Sequence, residues 1–221
     1  MHAVLARHGL SRLAFMDRPT DTVLRRYERH RPGELVHVDV KKLGRLREGG
    51  GWRVHGRDSL PARQARYGPR VGFDYVHAAI DDHTRLAYAE VHPDERAATC
   101  AGFLRRAAGF FADHGITDIE RVMTDNALAY RRSHAWRDAL AGIGAQARFT
   151  RRYRPQTNGK AERFNRTLLE EWAYQRPFTS NTERTAALPI WLHTYNHHRS
   201  HTAIGGHPPI TRVNNGAGSY S

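Results

Sequence analysis

The sequence predicts an α/β fold: a central mixed sheet of five strands flanked by helices. Three observations predict it. Residues 34–40 alternate apolar and polar side chains, two strand-like runs follow across a polar turn, and later strand-like runs alternate with helical ones. The resulting order is βββαβαβα with one more helix at the end, the pattern of a sheet with helices against it. A chain of 221 residues is long enough for one domain with a sizeable core plus short extensions.

Each element has its own signal. In 34–40, Val36, Val38 and Val40 face one side, and Leu35, His37 and Asp39 the other. Aspartate is depleted inside strands, so Asp39 is read either as a strand-end cap or as a metal ligand. Residues 41–70 are polar, basic and interrupted by Gly49-Gly50-Gly51, which predicts a long loop facing solvent or nucleic acid. Residues 71–80 and 86–91 predict a hairpin whose turn carries Asp81 and Asp82, read as turn formers because Asp side chains bond local backbone. A helix is expected over 97–114, ended by Gly115. A buried strand at 119–123 delivers Asp125 at its carboxyl end, a helix covers 128–140, and a last strand occupies 146–150. The final helix spans 181–198, with Leu188, Trp191, Leu192 and Tyr195 on its apolar face. Trp172 and Trp191 are read as core, and 214–221 as disordered.

Charge narrows the partners. Thirty-five Lys and Arg oppose 22 Asp and Glu, a net charge of +13, and most of the cations are Arg, which suits bidentate phosphate contacts. Nucleic acid is therefore the expected partner. No stretch of eighteen apolar residues and no secretory signal pattern occurs, so no membrane partner is expected. Cys100 is the only cysteine; an internal disulfide and a multi-cysteine zinc site are excluded, and a cytoplasmic location is expected.

The most informative stretch is Pro155-Gln156-Thr157-Asn158-Gly159-Lys160-Ala161-Glu162-Arg163-Phe164-Asn165-Arg166, a turn opening a helix. Ala161, Phe164, Leu168 and Trp172 recur at helical spacing, which puts Glu162 in the first turns. The helix dipole favours an acid there. It does not explain why Arg151, Arg152, Arg154, Lys160, Arg163 and Arg166 crowd that one carboxylate, an arrangement suited to holding a polyanion beside a carboxylate-bound metal. Asp39, Asp125 and Glu162 all reach one edge of the expected sheet. Hard divalent ions take such oxygen ligands together with substrate phosphates.

These residues carry a resemblance. His37-Val38-Asp39, Met123-Thr124-Asp125-Asn126 and the P-x-x-N-G-x-x-E run ending at Glu162, with 36 residues between Asp125 and Glu162, resemble the catalytic core of DDE transposases and integrases, the retroviral-integrase-like group. The segment from Tyr195 to Pro209, containing Asn196, Arg199, His201, Ala203, Gly205 and Pro208, is similar to the closing segment of bacterial insertion-sequence transposases, nearest to the IS481-like ones. The resemblance covers roughly 30–212. That segment accounts for His201; the neighbouring His193 and His197, at i and i+4, suggest zinc as a minor alternative.

The resemblance implies an RNase H-like fold, with Asp39, Asp125 and Glu162 as ligands of two Mg²⁺ or Mn²⁺ ions. The implied reaction is hydrolysis at transposon ends followed by attack of the freed 3′-hydroxyl on target DNA. Double-stranded DNA is the implied partner, and a homo-oligomer on DNA the working form. Arg151, Arg152, Arg154, Gln156, Asn158, Lys160 and Arg163 are expected to contact DNA near the scissile phosphate. The expected division is a remnant of a helix-turn-helix region and linker at 1–30, a catalytic core at 31–200 and a C-terminal extension at 201–221. One departure is local: Ala127 stands where the family commonly has Gly, a difference that matters if the turn needs positive φ. Two alternatives use the same residues, a nuclease that stops at hydrolysis and a truncated DNA-binding remnant.

Overall fold

The computed structural model describes residues 16–17, 22–23, 28–69, 71–150 and 158–213. Met16–Asp17 and Thr22–Val23 form a small antiparallel pair. Most of the expected N-terminal region 1–30, namely 1–15, 18–21 and 24–27, and the tail 214–221 lie outside the described residues.

The sheet is built from β1 (Val36–Gly44), β2 (Phe73–Asp81), β3 (Ala87–His92), β4 (Arg121–Thr124) and β5 (Gln146–Phe149) in the order β3-β2-β1-β4-β5. The first three strands are antiparallel neighbours, whereas β4 and β5 run parallel to β1. This is the mixed five-stranded sheet expected, and the arrangement is RNase H-like. The turn from β2 to β3 is shaped by Asp81, whose Oδ2 accepts from the backbone and hydroxyl of Thr84 at 2.7 and 2.8 Å.

Strand alternation separates two cores. Val36 and Val38 point into a cluster with Phe103, Leu104 and Phe111 of α3 (Ala97–Asp113) and Trp136 of α5 (His134–Gly142). On the other face, Leu43, Val76, Ala78 and Ile80 meet Ala161, Phe164 and Leu168 of α6 (Gly159–Leu168) and Leu188, Leu192 and Tyr195 of α8 (Leu188–His197). Trp172 joins this second cluster from a π-helical turn, Leu169–Ala173, that continues α6, and Trp191 packs on its rim. Burying aromatic and branched side chains on both faces stabilises the sheet by roughly 1.5–3 kcal/mol for each large side chain removed from water.

Three expectations need correction. The region 41–70 is not a loop: β1 continues to Gly44, and α1 (Trp52–His55) and α2 (Leu60–Tyr67) follow. Ser59 caps α2 by accepting from the Ala62 amide at 3.2 Å, and proline occupies its first turn. The helix expected over 128–140 is two, α4 (Leu128–Arg131) and α5, because Ser133 accepts from the Trp136 amide and starts a new helix. The last helix is likewise split into α7 (Asn181–Ala186) and α8, with a proline in the first turn of α8. Residues 201–213 fold back on the domain, and Val213 enters the α3 cluster. No described helix is long and apolar enough to cross a membrane.

Candidate active site

Topology brings two of the carboxylates side by side. In the parallel register, Val36 pairs with Val122 and His37 with Met123. Two residues further along, Asp39 falls opposite Asp125, immediately past the last residue of β4. The Asp125 Oδ1 accepts from the Ala127 amide at 2.9 Å, closing a tight turn. Ala127 has φ −59°, so this turn needs no left-handed residue and alanine substitutes for glycine without strain.

Glu162 comes from the first turn of α6, with its side chain exposed. The helix is moored to β1 by Asn165, whose Nδ2 donates to Asp39 Oδ2 at 2.7 Å. Asn165 is three residues beyond Glu162, so both project from neighbouring positions of one helix face.

The Asp39 carboxyl feels both of the other carboxylates. Burial raises the Asp39 carboxyl first, and the negative charges of Asp125 and Glu162 add to it. The Val40 amide opposes them, and the net result is a carboxyl pushed up to about 6. Mutual repulsion of this kind is what a cation between the groups would relieve.

The donor set suits a hard divalent ion, being all oxygen and net negative. A second observation fits: the Asn165 carboxamide oxygen is buried beside Asp39 with no hydrogen-bond donor among the described residues. As placed, no group of three or more His, Cys, Asp or Glu among the described residues is arranged to hold a metal ion.

Behind the carboxylates lies a buried polar network that the sequence did not reveal. His37 bridges Asn158 Oδ1, 2.9 Å from its Nδ1, and Asp82 Oδ1, 2.7 Å from its Nε2. Lys160 also pairs with Asp82, and the Arg29 amide donates to Asp82 Oδ2 at 2.7 Å. Burial pushes the Asp82 carboxyl up, but the His37 and Lys160 hydrogen bonds and the Lys160 charge outweigh it and hold it well below the usual carboxylate range. The network ties the start of α6 to β1 and to the β2–β3 turn. Asp82 is thus in a turn, as expected, yet wholly buried and paired.

The DNA-contact residues divide. Arg151, Arg152, Arg154 and Gln156 lie outside the described residues. Asn158 is not a surface group: it is buried and its amide is committed to His37. Lys160 is turned inward onto Asp82, and Arg163 is exposed. Among the described residues, the histidines read as an alternative zinc site are not gathered into a group of three or more metal-holding side chains. His193, His197 and His198 cluster by their rings, with His114 added, whereas His201 bridges to His207 through backbone.

Two family models, both described as integrase core domain, match this chain, over residues 29–155 and 143–209. The chain therefore belongs to the integrase core domain family, a class of polynucleotidyl transferases. Among solved structures, a chain of the simian T-cell lymphotropic virus intasome in complex with PP2A regulatory subunit B56 gamma aligns at TM-score 0.61 and 17% identity, covering 85% of this chain. The match spans 56% of that longer chain. The HTLV-2 integrase catalytic core domain in complex with magnesium aligns in its dimeric form at TM-score 0.56 and 12% identity, and in its trimeric form at 0.56 and 13%. In both forms 83% of this chain covers 98% of the other. These likenesses show a shared fold.

Proposed function

We propose that this chain is a metal-dependent polynucleotidyl transferase of DNA transposition, similar to the IS481-like insertion-sequence enzymes. The observation that carries the reading is the placement of three carboxylates, with Asp39 and Asp125 on neighbouring parallel strands of an integrase-type sheet and Glu162 on the helix that Asn165 ties to Asp39. In this role Asp39, Asp125 and Glu162 hold two Mg²⁺ or Mn²⁺ ions. When bound, such ions activate the attacking oxygen and stabilise the leaving oxygen at phosphorus.

The chain's own groups set the geometry. Asn165 fixes the rotamer of Asp39, the His37–Asp82 network fixes the start of the Glu162 helix, and Arg163 with the basic segment 151–154 holds phosphates. In the first step water attacks phosphorus and the 3′-oxygen leaves with the bonding pair. In the second the freed 3′-hydroxyl attacks a target phosphodiester, breaking one P–O bond and making another. Support for an oligomer on DNA comes from the matched proteins, described as an intasome and as dimeric and trimeric forms.

The test is a strand-transfer assay with Mg²⁺ or Mn²⁺, a labelled oligonucleotide carrying a recessed 3′-hydroxyl end, and a plasmid target. Joined product from the wild type and none from Glu162→Gln supports the reading. Cleavage without joining replaces it with a nuclease, and equal product from both proteins removes Glu162 from the site.

A further inference from the structure

After β1 the structure holds an open cleft of about 400 Å³, lined by Trp52, Arg53, Gly56 and Arg57 on one side and by Tyr174 and Arg176 on the other. That size falls within the range of about 300–1,000 Å³ typical of small-molecule sites. Helix α1 buries none of its own residues, and Trp52 is 48% and Tyr174 43% exposed. The core therefore does not explain why a tryptophan is presented here.

The segment is nevertheless held in place. Gly50, at φ +78°, approaches the Phe178 carbonyl so closely that a Cβ would lie 2.5 Å from its oxygen. Only glycine lets the Gly49-Gly50-Gly51 turn seat against 178–179, and that seating sets Trp52 opposite Tyr174. The Arg53 guanidinium lies 5.2 Å from the Trp52 ring and 4.6 Å from the Tyr174 ring, and Arg57 lies 4.7 Å from Trp52. No carboxylate among the described residues pairs with Arg53 or Arg57.

We propose that this cleft binds an unpaired nucleotide of a nucleic-acid strand. The base stacks on the Trp52 and Tyr174 rings and the Arg53 guanidinium plane, while a flanking phosphate meets Arg57. Aromatic rings interleaved with cations are the chemistry that single strands require, because every base offers a π-face and every linkage a negative charge. The charge argues for this occupant over an apolar peptide. The assignment goes beyond the catalytic reading and is tested without catalysis.

Trp52 is the only exposed tryptophan; Trp136 and Trp172 are buried and Trp191 is half-buried. The full chain is titrated in EDTA with an oligothymidylate while its tryptophan emission is followed. The expected result is saturable quenching that Trp52→Phe abolishes while retaining affinity. The double substitution Trp52→Ala, Tyr174→Ala is expected to weaken oligothymidylate binding by about tenfold or more, with blunt-duplex binding and thermal melting unchanged. Quenching that persists in Trp52→Phe, or a double variant that binds the single strand as the wild type does, overturns the proposal. Thymidine monophosphate quenching at the same concentrations as the oligomer would make this a free-nucleotide site and also overturn it. Glu162→Gln serves as a control: it keeps the quenching whether or not the catalytic assignment survives.

Discussion

Asn165 donates its carboxamide to Oδ2 of Asp39 at 2.7 Å, and this bond fastens helix α6 to strand β1 at the level of the three carboxylates. The helix carrying Glu162 is thereby held in register with the strand carrying Asp39. Asn165 is itself buried, so its orientation is fixed by packing rather than by solvent.

Removing that tie should loosen the site without unfolding the domain. Groups that orient a metal ligand typically contribute about 10–100-fold to affinity or activity. Asn165→Ala is expected to lower the strand-transfer rate within that range and leave DNA affinity unchanged. A gel-shift titration run beside the transfer assay separates the two effects.

The raised Asp39 carboxyl makes a stability prediction. Because its value moves from 3.8 unfolded to about 6 folded, the native state holds the proton more tightly. Wild-type stability is therefore lost as pH rises through that interval, by an order of 2–3 kcal/mol. Asp39→Asn escapes this loss. In EDTA it should be more stable than wild type at about pH 7 and no more stable at about pH 4, read by denaturant titration at both values.

Asp82 predicts the opposite slope. Its carboxyl is held below the usual range by His37 and Lys160, so its contribution is full above the unfolded value of 3.8 and is lost as pH falls below about 4. Asp82→Ala also removes the buried carboxylate that accepts from His37 and pairs with Lys160, which should cost about 3–5 kcal/mol near neutral pH. A chemical-denaturation midpoint unchanged by this substitution would contradict the network.

Charge at the site separates chemistry from affinity. Asp125→Asn and Glu162→Gln remove negative groups from a chain of net charge +13, so DNA binding should stay equal or tighten while joining is abolished. Exposed Arg163 should behave differently: Arg163→Ala is expected to weaken binding and reduce the salt dependence by about one phosphate contact. Fluorescence anisotropy over a salt series reads both.

Much of this was legible because the deciding signals are short-range. Val36, Val38 and Val40 announce a strand by period, and Pro155 through Glu162 announce a helix start. The α2 cap was equally local, since Ser59 and Pro61 stand at its start, but the surrounding polar and basic residues suggested loop. Asp82 was beyond reach for another reason. Its turn role is written in its neighbours, whereas His37 and Lys160 reach it only after β1, β2 and α6 have come together. The burial of Asn158 was beyond reach by the same limit: beside so many cations it reads as a DNA contact, and only the folded chain brings His37 within 2.9 Å of it.

The central claim is that Asp39, Asp125 and Glu162 form one divalent-metal centre, and Mn²⁺ binding followed by electron paramagnetic resonance tests it most directly. The titration belongs at about pH 7.5, where Asp39 is ionised. The account predicts that the wild type depletes the free Mn²⁺ signal and that Asp39→Asn, Asp125→Asn and Glu162→Gln each weaken this binding by about tenfold or more. Equal Mn²⁺ uptake by all four proteins, or none by the wild type with DNA present, would contradict it.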